Sequence, residues 1–197
     1  MNKLGITGGM GSGKSTAASF FQKKGAVLFN ADEEAKNHLQ STISLQHRIV
    51  DIFGSQVTTQ NRLNLKKMAK VIFSDVKNQK ILNGIIWPEV YLLMTKAAES
   101  AENKNSPIFV VDAALLFEAG YTEYFDSILL ITASKSIRIQ RIRMRKNIPE
   151  DQIEKRMALQ MPESEKQKLA QATIENNEDM QDLFVKLEEF YRNINVG

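Results

Sequence analysis

Residues 3–16, KLGITGGMGSGKST, read as an apolar strand, a glycine-rich turn and the opening of a helix. Gly8 and Gly13 enclose four residues and are followed by Lys14 and Ser15. This is the full spacing of a phosphate-binding P-loop, in the strand–turn–helix setting the pattern requires. Glycines let backbone N–H groups curl around phosphate oxygens, and the helix N-terminus adds its partial positive charge. Lys14 then reaches the β- and γ-phosphates, and the Ser15 hydroxyl is a ligand for Mg²⁺. Gly9, Met10, Gly11, Ser12, Gly13, Lys14, Ser15 and Thr16 are therefore expected to hold a nucleoside triphosphate. A dinucleotide fingerprint is excluded, because Lys14 stands where its third glycine would fall.

Such a loop needs a sheet to carry it. Further apolar runs occur at AVLFN (26–30), PIFVVD (107–112) and SILLIT (127–132), with a weaker one at ATI (172–174). They are continuously apolar and β-branched, as strands buried on both faces are. Helical patterns separate them, which predicts a three-layer α/β fold around a parallel sheet with right-handed crossovers. Residues 31–106 are too long for a simple crossover, and apolar residues recur at helical spacing: Ala35/Leu39, Ile49/Ile52/Phe53, Met68/Val71/Ile72 and Leu92 to Ala98. We expect one domain: a core of 1–30, 107–140 and 171–197, a helical insertion at 31–106, and a second insertion at 141–170.

At 197 residues and 43% hydrophobic, the chain suits one globular unit. It has no cysteine, so disulfides, thiolate metal sites and cysteine nucleophiles are excluded. The first ten residues lack the apolar region of a signal peptide, and no apolar run approaches the ~20 residues of a membrane helix. A cytoplasmic protein without membrane contact is expected. Net charge is only +3, but residues 135–168 carry ten basic side chains against five acidic ones.

Three features bear on chemistry. FVVD ends in Asp112, an acid at a strand end that can hold Mg²⁺ or its water; such acids also cap helices. Arg138, Arg141 and Arg145 fall at i, i+3 and i+7 and share a helix face, while Arg143 points elsewhere. Guanidinium grips phosphate in a bidentate fork, so an arginine stripe on an insertion suggests a lid over transferring phosphate. It is otherwise a solvated face. In FNADEEAK (29–36), Asp32 follows the second strand by two residues and lies close to the phosphate site if the first two strand ends are neighbours. It could then take the proton of an acceptor hydroxyl. Glu33 and Glu34 read as helix-start acids. The guanine-specifying N-K-x-D motif is absent. A helical insertion after the second strand is where small P-loop kinases hold the group being phosphorylated, by analogy.

Taken together, the chain resembles bacterial dephospho-coenzyme A kinases nearly end to end. The likeness rests on GITGGMGSGKST, NADEEAK (30–36), FG (53–54), VIFSD (71–75), Pro88, DAALLFEAG (112–120), QRIRMRKN (140–147), RMALQMP (156–162) and IENN (174–177). It implies a P-loop kinase fold with a helical acceptor-binding insertion and a basic lid. It implies ATP-dependent phosphorylation of the ribose 3′-hydroxyl of dephospho-coenzyme A, with ATP and Mg²⁺ as cofactors. The residues implied are Asp32 as base, Lys14, Arg141 and Arg145 on the transferring phosphate, Asn176 near adenine, and Ser15 and Asp112 at the metal. Thr7, Asp32, Trp87 and Leu115 fall on the acceptor side.

The chain departs from the family pattern at Asn30 (usually Asp), Asn64-Leu65 (Asp-Arg), Trp87 (His), Ala114 (Pro) and Lys146 (Asp). Trp87 either stacks on the acceptor's adenine or fills the insertion's core. His38 and His47 have no metal-ligand spacing and read as surface residues. Small-molecule partners, a monomer or small homo-oligomer, and no nucleic acid are expected. Two other readings keep the loop: a kinase of another acceptor such as a nucleoside monophosphate, and a nucleotide-dependent switch whose basic segment holds nucleic acid.

Overall fold

Strand order decides which residues meet at the phosphate loop. A computed structural model describes residues 1–146 and 148–194; Asn147, within QRIRMRKN, and the Lys146 side chain lie outside the description. In chain order the elements are β1 (Asn2–Thr7), α1 (Lys14–Lys23), β2 (Val27–Asn30), α2 (Ala31–Ser41), α3 (Ile43–Phe53), β3 (Thr58–Thr59), β4 (Arg62–Leu63), α4 (Leu65–Ser74) and α5 (Val76–Asn103). There follow β5 (Ile108–Asp112), β6 (Ser127–Thr132), α6 (Lys135–Lys146), α7 (Glu150–Ala158), α8 (Glu163–Leu169), β7 (Ala172–Glu175) and α9 (Met180–Ile194).

The five expected strands form one parallel sheet in the order β2-β5-β1-β6-β7. The first two strand ends are thus not neighbours: β5 lies between them. Ile6 pairs with Asp112, and Asp112 pairs with Asn30, so the acid of β5 separates the P-loop strand from the end of β2.

Alternating side chains bury both faces of the sheet. Leu4, Ile6, Ile108, Val110, Leu129 and Ile131 pack with Ala17, Ala18 and Phe21 of α1 and Leu183 and Leu187 of α9. On the other face Ile128 packs with Leu116, Phe117 and Phe125, with Met161 and Ala170 against them.

The chain divides into two compact units, Met1–Asn30 with Lys96–Gly197, and Ala31–Thr95. The second has its own core of Leu39, Leu45, Ile49, Phe53, Val57, Ile72 and Ile85. Ile52, grouped by periodicity with that apolar face, instead points outward. Trp87 is half-buried on α5. His38 is no plain surface residue: its Nε2 lies 3.3 Å from Glu89 Oε2, tying α2 to α5. His47 is exposed.

Two of the departures have local explanations. Asn64 is the N-cap of α4, its Oδ1 accepting from Lys66 and Lys67 N–H at 3.0 Å each, as the usual aspartate would. Leu65 packs against the unit's apolar core where the family has arginine. Asn64→Ala is expected to lower stability by about 1 kcal/mol, read by urea denaturation. An unchanged midpoint would mean that the cap contributes nothing.

Candidate active site

The P-loop forms because glycine occupies the positions where a side chain would not fit. Gly11 and Gly13 have φ of 85° and 102°, the left-handed region that favours glycine. A Cβ on Gly13 would overlap the Asn176 carboxamide, and one on Gly9 would overlap Arg138 Nη1 and Glu163 Oε1. Ser12 N–H closes the loop onto Gly9 O at 3.0 Å. Helix α1 begins at Lys14 with no side-chain cap and no acid in its first turn, so its amides suit an anion.

Lys14 Nζ donates to Asp112 Oδ1, joining the loop to the end of β5. The Asp112 side chain is 2% exposed and that of Lys14 11%. Ser15 is exposed. Thr7, at the end of β1, is buried, and its hydroxyl has no hydrogen-bond partner among the described residues. Leu115 is half-buried on the segment after β5. Asp32 is exposed in the first turn of α2, and Asn30, two residues earlier, ends β2 beside Asp112.

The arginine stripe divides into three environments. Arg138 is buried beneath α8, its Nη1 donating to Glu163 Oε1 at 2.6 Å. Arg141 donates to Asn176 O at 2.9 Å, Asn176 Oδ1 at 3.4 Å and Glu178 O at 3.2 Å. Burial, and secondarily the charge of Arg145, lowers the Arg141 pKa from its ordinary value. Arg145 is exposed. The stripe is therefore not a solvated face: two of its three members are anchored. Asn176 is itself a junction, its N–H on Thr132 O at 2.8 Å and its Nδ2 on Ser12 O at 2.7 Å.

Sequence reasoning missed Gln160, Glu163 and Lys166. Gln160 Oε1 accepts the Met10 amide at 3.0 Å. Lys166 is fully buried, with Nζ 2.9 Å from Ala114 O and 3.1 Å from Glu118 Oε1. Periodicity gives no signal for such contacts, since their partners are remote in sequence.

Of the ten basic residues in 135–168, six (Lys135, Arg138, Arg143, Lys155, Lys166 and Lys168) pair with carboxylates. Among the described residues no helix is long and apolar enough to cross a membrane.

A parallel sheet whose first strand runs into a P-loop, with an acid at the end of the neighbouring strand and basic residues above, defines a P-loop phosphotransferase. A family profile for dephospho-CoA kinase matches residues 3–182. A dephospho-CoA kinase of Salinibacter ruber is 34% identical over 198 residues, covering all of both chains. One of Fusobacterium nucleatum is 33% identical over 192 residues, 97% of each. A crystal structure from Thermus thermophilus superposes with a TM-score of 0.82 at 29% identity, over 98% of this chain and 97% of the other. This chain belongs to the dephospho-CoA kinase family. It is a kinase that transfers phosphate from ATP to dephospho-coenzyme A, the final step of coenzyme A synthesis.

Proposed function

We propose that the residues gathered at the ends of β1, β2 and β5 carry out this transfer to the ribose 3′-hydroxyl. The observation that supports the reading most is the Lys14–Asp112 pair, which brings a phosphate cation and a metal carboxylate together at the mouth of the P-loop. Gly9 to Thr16 hold the ATP phosphates, with Asn176 beside the loop on the nucleotide side. Asp32 takes the proton of the 3′-hydroxyl as its oxygen attacks the γ-phosphorus. The bond from that phosphorus to the β–γ bridging oxygen breaks, and ADP leaves. Lys14 and Arg145 counter the charge on the transferring oxygens. Arg141 reaches them only by leaving its three carbonyl and carboxamide partners, so we assign it first to holding the 176–178 segment. Thr7, Trp87 and Leu115 face the acceptor in this reading, the Thr7 hydroxyl offering an unused hydrogen bond.

The donor chemistry fits Mg²⁺. Ser15 and Asp112 supply hard oxygen ligands, and among the described residues no group of three or more His, Asp or Glu forms a protein-only cage. A metal held by one or two protein oxygens with phosphate oxygens and water is the usual Mg²⁺ arrangement. When bound, Mg²⁺ neutralises charge on the phosphates. The reading includes a cytoplasmic enzyme working on diffusible substrates.

The test is ADP release with Mg²⁺ and ATP across dephospho-coenzyme A, AMP, CMP and simple polyols. Turnover is expected with dephospho-coenzyme A alone. No turnover with it, or faster turnover with a nucleoside monophosphate, would overturn the acceptor assignment.

A further inference from the structure

The outer side of the P-loop is braced by side chains that neither the loop pattern nor the transfer chemistry calls for. Arg138 Nη1 and Glu163 Oε1 occupy the space where a Gly9 Cβ would stand. The Arg138 backbone closes over the next glycine: a Cβ on Gly11 would lie 2.7 Å from Arg138 O. Glu163 uses both oxygens, Oε1 on Arg138 Nη1 and Oε2 on the Thr132 hydroxyl, each at 2.6 Å. The second Arg138 amino group lies 3.6 Å from Met157 Sδ. Between the two glycines, Met10 N–H is bonded to Gln160 Oε1 at 3.0 Å. The α7–α8 segment that supplies Gln160 and Glu163 is itself fixed, with Ile153 and Lys166 fully buried.

A P-loop grips phosphate only when its amides point inward together, and a glycine-rich loop loses much backbone freedom in adopting that shape. Bonds that hold the shape before the ligand arrives reduce what binding must order. Here Met10 N–H is satisfied from outside, which fixes the turn of the loop at that residue. The Arg138–Glu163 pair fills the space Gly9 would otherwise sample. A buried ion pair is weak evidence for overall stability, so its placement on the loop is the more informative fact.

We propose that Arg138, Glu163 and Gln160 preset the P-loop and so set ATP affinity as positioning residues, without touching nucleotide or acceptor. The proposal rests on reading Gly8–Thr16 as the ATP site. Glu163→Gln keeps the side chain's size and removes the charge that orients Arg138. It is expected to raise the calorimetric Kd for ATP, measured without acceptor, and the KM for ATP by about tenfold, the loss of one charged hydrogen bond. The KM for dephospho-coenzyme A, and kcat at saturating ATP, should stay within about twofold. Gln160→Ala should weaken ATP by about threefold and speed hydrogen exchange at the Met10 amide.

ATP affinity unchanged in Glu163→Gln would overturn the proposal, and so would equal rises in both KM values alongside a fall in Tm. If Glu163→Gln does not fold, Gln160→Ala decides by the same readouts. Wild-type protein that fails to bind ATP would sink the site reading itself. Wild-type binding with unaffected variants would sink only the brace.

Discussion

Asp32→Asn is expected to lower kcat by about 10²–10⁴ while leaving ATP affinity and Tm near their original values. Asparagine has nearly the shape of aspartate and is equally at home at a helix start, so α2 should form unchanged. What it cannot do is accept a proton. The side chain is exposed in the first turn of α2, two residues beyond the end of β2. The strand end carries Asn30 where the family pattern has a second acid, so no neighbouring carboxylate two residues back can substitute for the lost base. Single-turnover kinetics with saturating ATP and dephospho-coenzyme A, beside ATP calorimetry, make the measurement. Near-normal turnover would return Asp32 to the same helix-start role as Glu33 and Glu34.

The position of Asp32 also shows how far sequence reasoning reaches. All five core strands were legible because burial on both faces leaves continuous apolar runs, down to the short ATI of β7. Their order was not legible. Pairing of β5 between β1 and β2 is a long-range choice that no local pattern records, and it puts Asp112 rather than Asn30 beside β1. The β3–β4 hairpin was hidden for the opposite reason. Its strands have two residues each, and its turn residues Gln60 and Asn61 take φ of 50° and 59° without any glycine to mark them.

Charge was harder still. The helical spacing of Arg138, Arg141 and Arg145 was visible, but their partners Glu163, Asn176 and Glu178 come from segments folded back from 25 to 37 residues away. A stripe that looks uniform in sequence thus holds one loop brace, one clasp on the 176–178 segment and one exposed cation. Motif and periodicity singled out the Gly8–Thr16 loop and the arginine stripe; only tertiary contacts separated the two anchored arginines from the exposed one.

Lys14→Ala is expected to cost about 10²–10³ in kcat, as loss of a preorganised charge on the transferring phosphate does, and to destabilise the ligand-free protein as well. The second effect follows from the partner. Asp112 sits almost wholly out of water, its side chain 2% exposed, and Lys14 supplies a positive charge against it. Removing one member of such a pair leaves a buried carboxylate uncompensated, at about 3–5 kcal/mol in comparable cases. Adding Asp112→Asn should recover most of that stability by removing the stranded charge. It should recover none of the turnover, since both the phosphate cation and the metal carboxylate are then gone. Urea denaturation of the wild type, the two single variants and the double variant gives the coupling between the residues directly. Stabilities that simply add would show that the pair contributes nothing to the resting protein. A double variant that regained activity would show that Lys14 acts only by neutralising Asp112, and not on the phosphate.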